Sequence, residues 1–143
     1  MSGIGFSIEG EERLCMRKIV VSMQNGLLAE SISRMLEESS EFLIYRSAVG
    51  NRNSLAMDCV MYGAEIVLME VSPGCGVSLQ ARMEETRQIK NANIGCKVVL
   101  LCDENTSPDL ARDVALAKKD GRVDAFFYSS VTGSYLVAAL AAL

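Results

Sequence analysis

The sequence predicts a doubly wound α/β domain, a five-stranded parallel sheet in the order 2-1-3-4-5 with helices on both faces. Three observations predict it. Short aliphatic runs alternate five times with longer amphipathic stretches. Those runs are apolar at consecutive positions, as in strands buried on both faces. The connections are short, which favours right-handed βαβ crossovers onto one parallel sheet.

Residues 1–16 hold Gly3, Gly5, Gly10 and acidic residues without a period, and are expected to form a poorly ordered leader before a single domain, 17–143. Arg17-Lys18 opens the first strand, Ile19-Val20-Val21. Leu27, Leu28, Ile32, Met35 and Leu36 then recur at helical spacing after Gly26, with Glu30, Arg34, Glu37 and Glu38 mostly opposite. Phe42 to Tyr45 is the second strand. Asn53 to Tyr62 forms a short helix with Leu55, Cys59 and Tyr62 on one side, stopped by Gly63. Ile66 to Met69 is the third strand, and Ser72-Pro73-Gly74 marks a turn after it.

The third helix carries Leu79, Met83 and Ile89 among Glu84, Glu85, Arg87 and Lys90, and ends near Asn91-Ala92-Asn93 and Gly95. Val98 to Leu101 is the fourth strand. Ser107 is a capping residue before Pro108, and the helix it starts runs from Leu110 to Lys118. Val123 to Tyr128 is the fifth strand, and Val131 to Ser134 leads into an apolar helix from Tyr135 to Leu140. The methionines, Met57, Met61 and Met83 among them, fall where helix packing faces are expected, as gap-filling core residues.

Composition narrows the function classes. A 143-residue chain that is 50% hydrophobic can bury one substantial core. With 14 basic and 18 acidic residues, net charge −4, it offers no general attraction to nucleic acid or anionic membrane. The five cysteines, Cys15, Cys59, Cys75, Cys96 and Cys102, show no CxxC spacing and there is no histidine, so no zinc site and no cofactor is expected. The scattered, odd set suits reduced thiols in the cytoplasm. Lack of histidine also removes the usual general base and the Ser-His and Cys-His pairs, so no enzyme activity is expected. Neither GxGxxG nor GxxxxGK[ST] is present.

A doubly wound sheet binds ligands at the carboxyl ends of its strands, beside the switch between the first and third. Two segments there are informative. Val123-Asp124-Ala125-Phe126-Phe127-Tyr128-Ser129-Ser130-Val131-Thr132 and Glu65-Ile66-Val67-Leu68-Met69-Glu70-Val71 resemble the fifth strand with its following loop, and the third strand, of the receiver domains of bacterial two-component response regulators of the LuxR/NarL type. The resemblance spans about Arg17 to Leu143 and implies the flavodoxin-like (CheY-like) three-layer sandwich. It also implies roles for positions that this sequence has changed. Glu70 takes the place of the phosphoacceptor aspartate, and Met23 and Gln24 take that of the acidic pair that holds magnesium. Cys102 stands at the hydroxyl position, Ser129 at the invariant lysine, and Phe126 at the switch aromatic.

A thioether and a neutral amide cannot replace two carboxylates around a hard cation, so the metal site is expected to be absent. Glu70 reaches one methylene further than aspartate and invites a reading as a phosphoaspartate mimic; its plainer reading is a locally hydrogen-bonded carboxylate. Phe126 reads most simply as core, and Cys102 as a small buried hydrophobe in place of a redox sensor.

The resemblance therefore implies a pseudo-receiver of a response regulator, acting in transcriptional signal transduction through protein contacts and not through aspartate phosphorylation. The alternatives are a phosphorylation-competent receiver of a phosphorelay and a flavodoxin-like domain that binds a small ligand. The last helix has almost no polar face, so a homodimer is expected, with a helix-turn-helix output domain beyond this chain and a sensor or regulatory protein as further partners.

Overall fold

The computed structural model describes residues 16–47, 54–73, 77–103 and 107–143. Five strands alternate with five helices. In chain order these are β1 (Arg17–Ser22), α1 (Gly26–Glu38), β2 (Phe42–Ser47), α2 (Leu55–Tyr62), β3 (Ile66–Val71), α3 (Leu79–Ala92), β4 (Lys97–Cys102), α4 (Pro108–Lys119), β5 (Ala125–Tyr128) and α5 (Gly133–Ala141). All paired strands are parallel and the sheet order is β2-β1-β3-β4-β5. The expected doubly wound topology is thus the observed one. Of the expected leader, residues 1–15 lie outside the described residues, as does Gly74 of the expected turn.

Alternation along each strand divides the core into two layers. Val20, Val67, Met69, Val98 and Leu100 pack under α2, α3 and α4, which contribute Leu55, Cys59, Ile89, Val114 and Ala117. Ile19, Val21, Ile66, Leu68, Val99 and Leu101 pack on the other face under α1 and α5, through Ile32, Leu36, Leu136 and Leu140. Consecutive strand residues feed opposite layers, which is why the strands read as unbroken apolar runs.

Every helix begins on a side-chain oxygen that accepts a backbone N–H of its first turn. Asn25 serves Leu28, Ser54 serves Met57, Ser78 serves Ala81, Ser107 serves Leu110 and Thr132 serves Tyr135. At the other end of α2, Gly63 takes the left-handed conformation at φ 67° and its N–H returns to the helix, as expected for a glycine stop.

Three expectations about the core need correction. Leu27 is 82% exposed, because α1 has barely begun there and Leu28 takes the inward side. Met57 and Met61 are 59% and 63% exposed: α2 is short and turns Leu55, Ala56 and Cys59 to the sheet, which leaves both methionines on its outer side. Met83 does pack against the core. The fifth strand begins at Ala125 and not at Val123, because the Asp124 carboxylate itself accepts the Val98 N–H at 2.8 Å.

Candidate functional site

The crevice lies where β1 and β3 end. Ser22 closes β1 and pairs in register with Met69 of β3 and with Ser47 of β2. Beyond it Met23 turns into the core and is buried, whereas Gln24 and Asn25 are exposed at the entrance to α1. Their backbone N–H groups point at β3. Gln24 donates to Glu70 Oε1 at 2.7 Å and Asn25 donates to the same oxygen at 3.2 Å. The carboxylate is thereby seated at the N-terminal approach to α1, where a negative charge is favourable.

Beneath Glu70 lies a residue that the sequence reading did not single out. Arg82 of α3 is 1% exposed, the largest of the fully buried side chains. Its Nε donates to the Glu70 backbone carbonyl at 2.8 Å, and Nη2 donates to the Ser22 carbonyl at 2.9 Å. Nη1 donates to Ser22 Oγ at 3.0 Å and to Glu85 Oε1 at 3.2 Å. The planar fork ties together the carboxyl ends of β1 and β3 and the first turns of α3. Burial lowers the guanidinium from its ordinary value, while Glu85 and the more distant Glu70 charge act in the opposite direction. Arginine nevertheless remains cationic near neutrality.

A signal for Arg82 existed in the sequence. Leu79, Arg82, Thr86 and Ile89 recur three and four apart, which sets Arg82 on the inward stripe of α3. Thr86 is buried beside it and donates its hydroxyl to the Arg82 carbonyl at 2.8 Å. A second buried polar pair lies next to this group, where Ser47 donates to Asp58 Oδ2 at 2.6 Å. Because Ser22 and Ser47 are register partners, both hydroxyls face the α2–α3 layer.

The other half of the strand-end row is neutral at the positions singled out. Cys102 ends β4, buried opposite Val71, and burial pushes its thiol up to about 11. That favours the buried-hydrophobe reading over a reactive thiol. Ser129 follows β5, exposed, with its backbone N–H donating to the Cys102 carbonyl at 2.7 Å. Phe126 is half-buried against the α2–α4 layer and meets Tyr128 edge-on at 5.9 Å. The fold therefore brings Gln24 to Glu70 and Ser129 to Cys102, each through the backbone, and sends Met23 into the α1–α5 layer.

Solved structures with the same architecture include response regulators and their receiver domains. A LuxR-family two-component response regulator from Aurantimonas sp. SI85-9A1 superposes with a TM-score of 0.69 at 14% identity, covering 89% of this chain and 84% of that one. The fold is that of a CheY-like receiver. A LuxR-family DNA-binding response regulator from Staphylococcus aureus gives 0.66 at 15% identity, over 89% of this chain and 98% of that one. The CheY-like receiver domain protein of Methanospirillum hungatei JF-1 gives 0.65 at 11% identity, over 89% and 92%. No protein-family model and no curated protein sequence matches the chain. Among the described residues no helix is long and apolar enough to cross a membrane.

Proposed function

We propose that this chain is a pseudo-receiver: a signalling module that keeps the receiver architecture, works through protein contacts, and does not accept a phosphoryl group. The observation that carries the reading is the buried guanidinium of Arg82, bonded to Ser22 and Glu70 where β1 and β3 end. A receiver that accepts phosphate needs a divalent cation at the end of its first strand and a carboxylate free to attack. Here Met23 offers a buried thioether, Gln24 a neutral amide, and one Glu70 oxygen already accepts two backbone N–H groups. A fixed positive charge immediately below adds repulsion to this poor donor set. The residues do not fit magnesium.

Glu70 in this reading is a side chain held by its own backbone donors, not a nucleophile. Cys102 and Ser129 stand where a hydroxyl and a lysine would meet phosphoryl oxygens, and neither supplies a cation. The module is accordingly read as non-enzymatic and cytoplasmic.

Its output is proposed to run through a homodimer and an attached helix-turn-helix domain, by analogy with the LuxR-family neighbours. The exposed side of α5 supports this, since Tyr135 is 60% exposed beside solvent-facing Ala138 and Ala141.

Titration with beryllofluoride and magnesium, followed by amide NMR, tests the reading. No saturable shift at Gln24, Glu70 or Cys102 is expected, and Glu70→Asp is expected to take up no label from a radiolabelled phosphodonor. Saturable binding in the crevice of the unaltered chain would return it to the phosphorylation-competent class.

A further inference from the structure

A trough runs between α1 and α5, in the layer on the far side of the sheet from Arg82. One wall is α1, where Leu27, Ser31 and Met35 recur four apart. The other is α5, where Ser134, Val137, Ala138 and Ala141 recur three and four apart. Met35 and Glu38 border both of its stretches, which hold about 350 and about 510 Å³. Met35 and Val137 form an apolar floor, packed on the core below. Gly133 lets Met35 cross to α5, since a β-carbon there would come within 2.1 Å of the Met35 sulfur. The small side chains beyond it leave a depth that a third helix can fill.

The rim is acidic. Glu30, Glu38 and Glu41 border the trough, and Arg34, the cation beside them, already pairs with Glu30 at 3.0 Å. The last turn of α1 carries Glu37 and Glu38 and no basic residue, so carboxylates stand at the negative end of the helix dipole, where they oppose folding. By contrast α4 ends on Lys118 and Lys119, the favourable arrangement. The α1 end therefore gains from any cation that a partner brings beside it.

We infer that this trough is a docking groove for an amphipathic helix of a partner protein, about three turns long, with an apolar stripe and lysine or arginine on its flanks. The inference rests on the reading that the module works through protein contacts, and it gives that contact a place and a chemistry. The length follows from the α1 wall, since Leu27 to Glu38 is about 17 Å at 1.5 Å per residue. Both walls are helices and offer an extended peptide no free backbone partners, whereas a helix packs between them. The basic flanks follow from the rim. A second copy suits the groove poorly, because α5 carries no charged side chain and two copies meeting here would bring carboxylates to carboxylates. Tyr135 lies on the other flank of α5, edge-on to Phe127 at 6.2 Å, and is apart from this groove.

The test titrates the isotope-labelled full chain with two model peptides of about 16 residues, long enough to form a helix. Each has leucine at every third and fourth position; one carries lysine on the flanks and the other glutamate. The lysine peptide is expected to shift the amides of Ser31, Met35, Ser134 and Ala138 saturably, and to bind about tenfold more weakly in 0.5 M than in 0.05 M salt. The glutamate peptide is expected to give no saturable shift. Changing Glu38→Lys together with Glu41→Lys should weaken the lysine peptide about tenfold, while the free chain melts about 1–4 °C higher because the unfavourable helix-end charge is gone. Ala138→Phe, at an exposed position, should fill the trough and abolish binding. Equal binding of the two peptides, shifts centred on the exposed Met57, Val60 and Met61 of α2, or no binding of the lysine peptide overturns the inference. So does a change in oligomeric state of the Ala138→Phe chain by sedimentation, which would assign the groove to a second copy. The comparison of peptides on the unaltered chain decides even where a variant folds poorly. Lysine-peptide binding together with beryllofluoride uptake would overturn the pseudo-receiver reading and keep the groove, whereas the loss of both would overturn the groove alone.

Discussion

The two ends of the sheet use cations in different ways. At the carboxyl ends Arg82 is buried and spends its fork on backbone carbonyls of β1 and β3, on Ser22 Oγ and on Glu85. At the amino ends the cations are partly exposed. Arg17 donates to the carbonyls of Leu140, Ala141 and Leu143 around the end of α5 and pairs with Glu65 at 3.4 Å. Lys90 pairs with Asp124, whose carboxylate also receives the Val98 N–H. Solvent can replace much of what Arg17 and Lys90 do, but nothing reaches the acceptors beneath Glu70 once Arg82 is gone. Similar chemistry is therefore an adjustable edge at one end and a fixed strut at the other. A fixed strut is unsuited to a crevice that must open for a cation and a phosphoryl group.

Replacing the strut should give the largest effect. Arg82→Met is expected to cost about 2–4 kcal/mol of stability, because it leaves strand-end carbonyls buried without a donor. Urea unfolding and calorimetry would register this as a Tm fall of about 10 °C. Arg82→Lys should recover only part of the loss, since a single ammonium cannot span the acceptors of a planar fork. A neutral effect of both changes would erase the contrast between the two ends.

Asp124→Asn comes next, at about 1 kcal/mol near neutral pH. Burial opposes ionisation of Asp124, but the Lys90 bond, the Val98 N–H and the nearby lysines outweigh it and hold the carboxyl below its ordinary value. The sign follows by linkage: the contribution is present above the unfolded-state aspartate pKa and is lost as the pH falls through the lower folded value. The gap between wild type and variant should therefore close in acid, as read by urea midpoints from neutral pH downward. A gap that stayed constant would assign the effect to packing and not to charge.

Arg17→Ala is expected to be smallest, below about 1 kcal/mol and further reduced by salt, because its partners are partly solvated. A loss as large as that of Arg82→Met would mean that Arg17 clamps α5 to the sheet as firmly as Arg82 clamps the crevice.

Much of the architecture was legible because it follows from local periodicity. Consecutive apolar residues such as Ile19-Val20-Val21 can satisfy only a sheet covered on both sides, and Ser107-Pro108 and Gly63 mark helix ends through their own backbone preferences. Glu70 was legible through the resemblance of Glu65 to Val71 to the third strand of a receiver domain. Met57 and Met61 misled because a short helix rich in apolar residues has more hydrophobic surface than it can bury, and composition alone does not say which side faces in. Arg82 escaped notice because a charged residue among Glu84, Glu85 and Arg87 resembles a solvated helix face unless its spacing from Leu79 and Ile89 is followed.

The sequence by itself determined the alternation of strands and helices, their caps and the absence of histidine chemistry, all of which depend on residue type and near-neighbour spacing. Only the tertiary structure decided that Arg82 reaches Ser22 across 60 residues of chain, and that Gln24 and Asn25 turn their N–H groups on Glu70. Such meetings depend on how β1 and β3 lie side by side and on how α2 and α3 pack over them. That arrangement is a property of the closed fold, which no local stretch of sequence encodes.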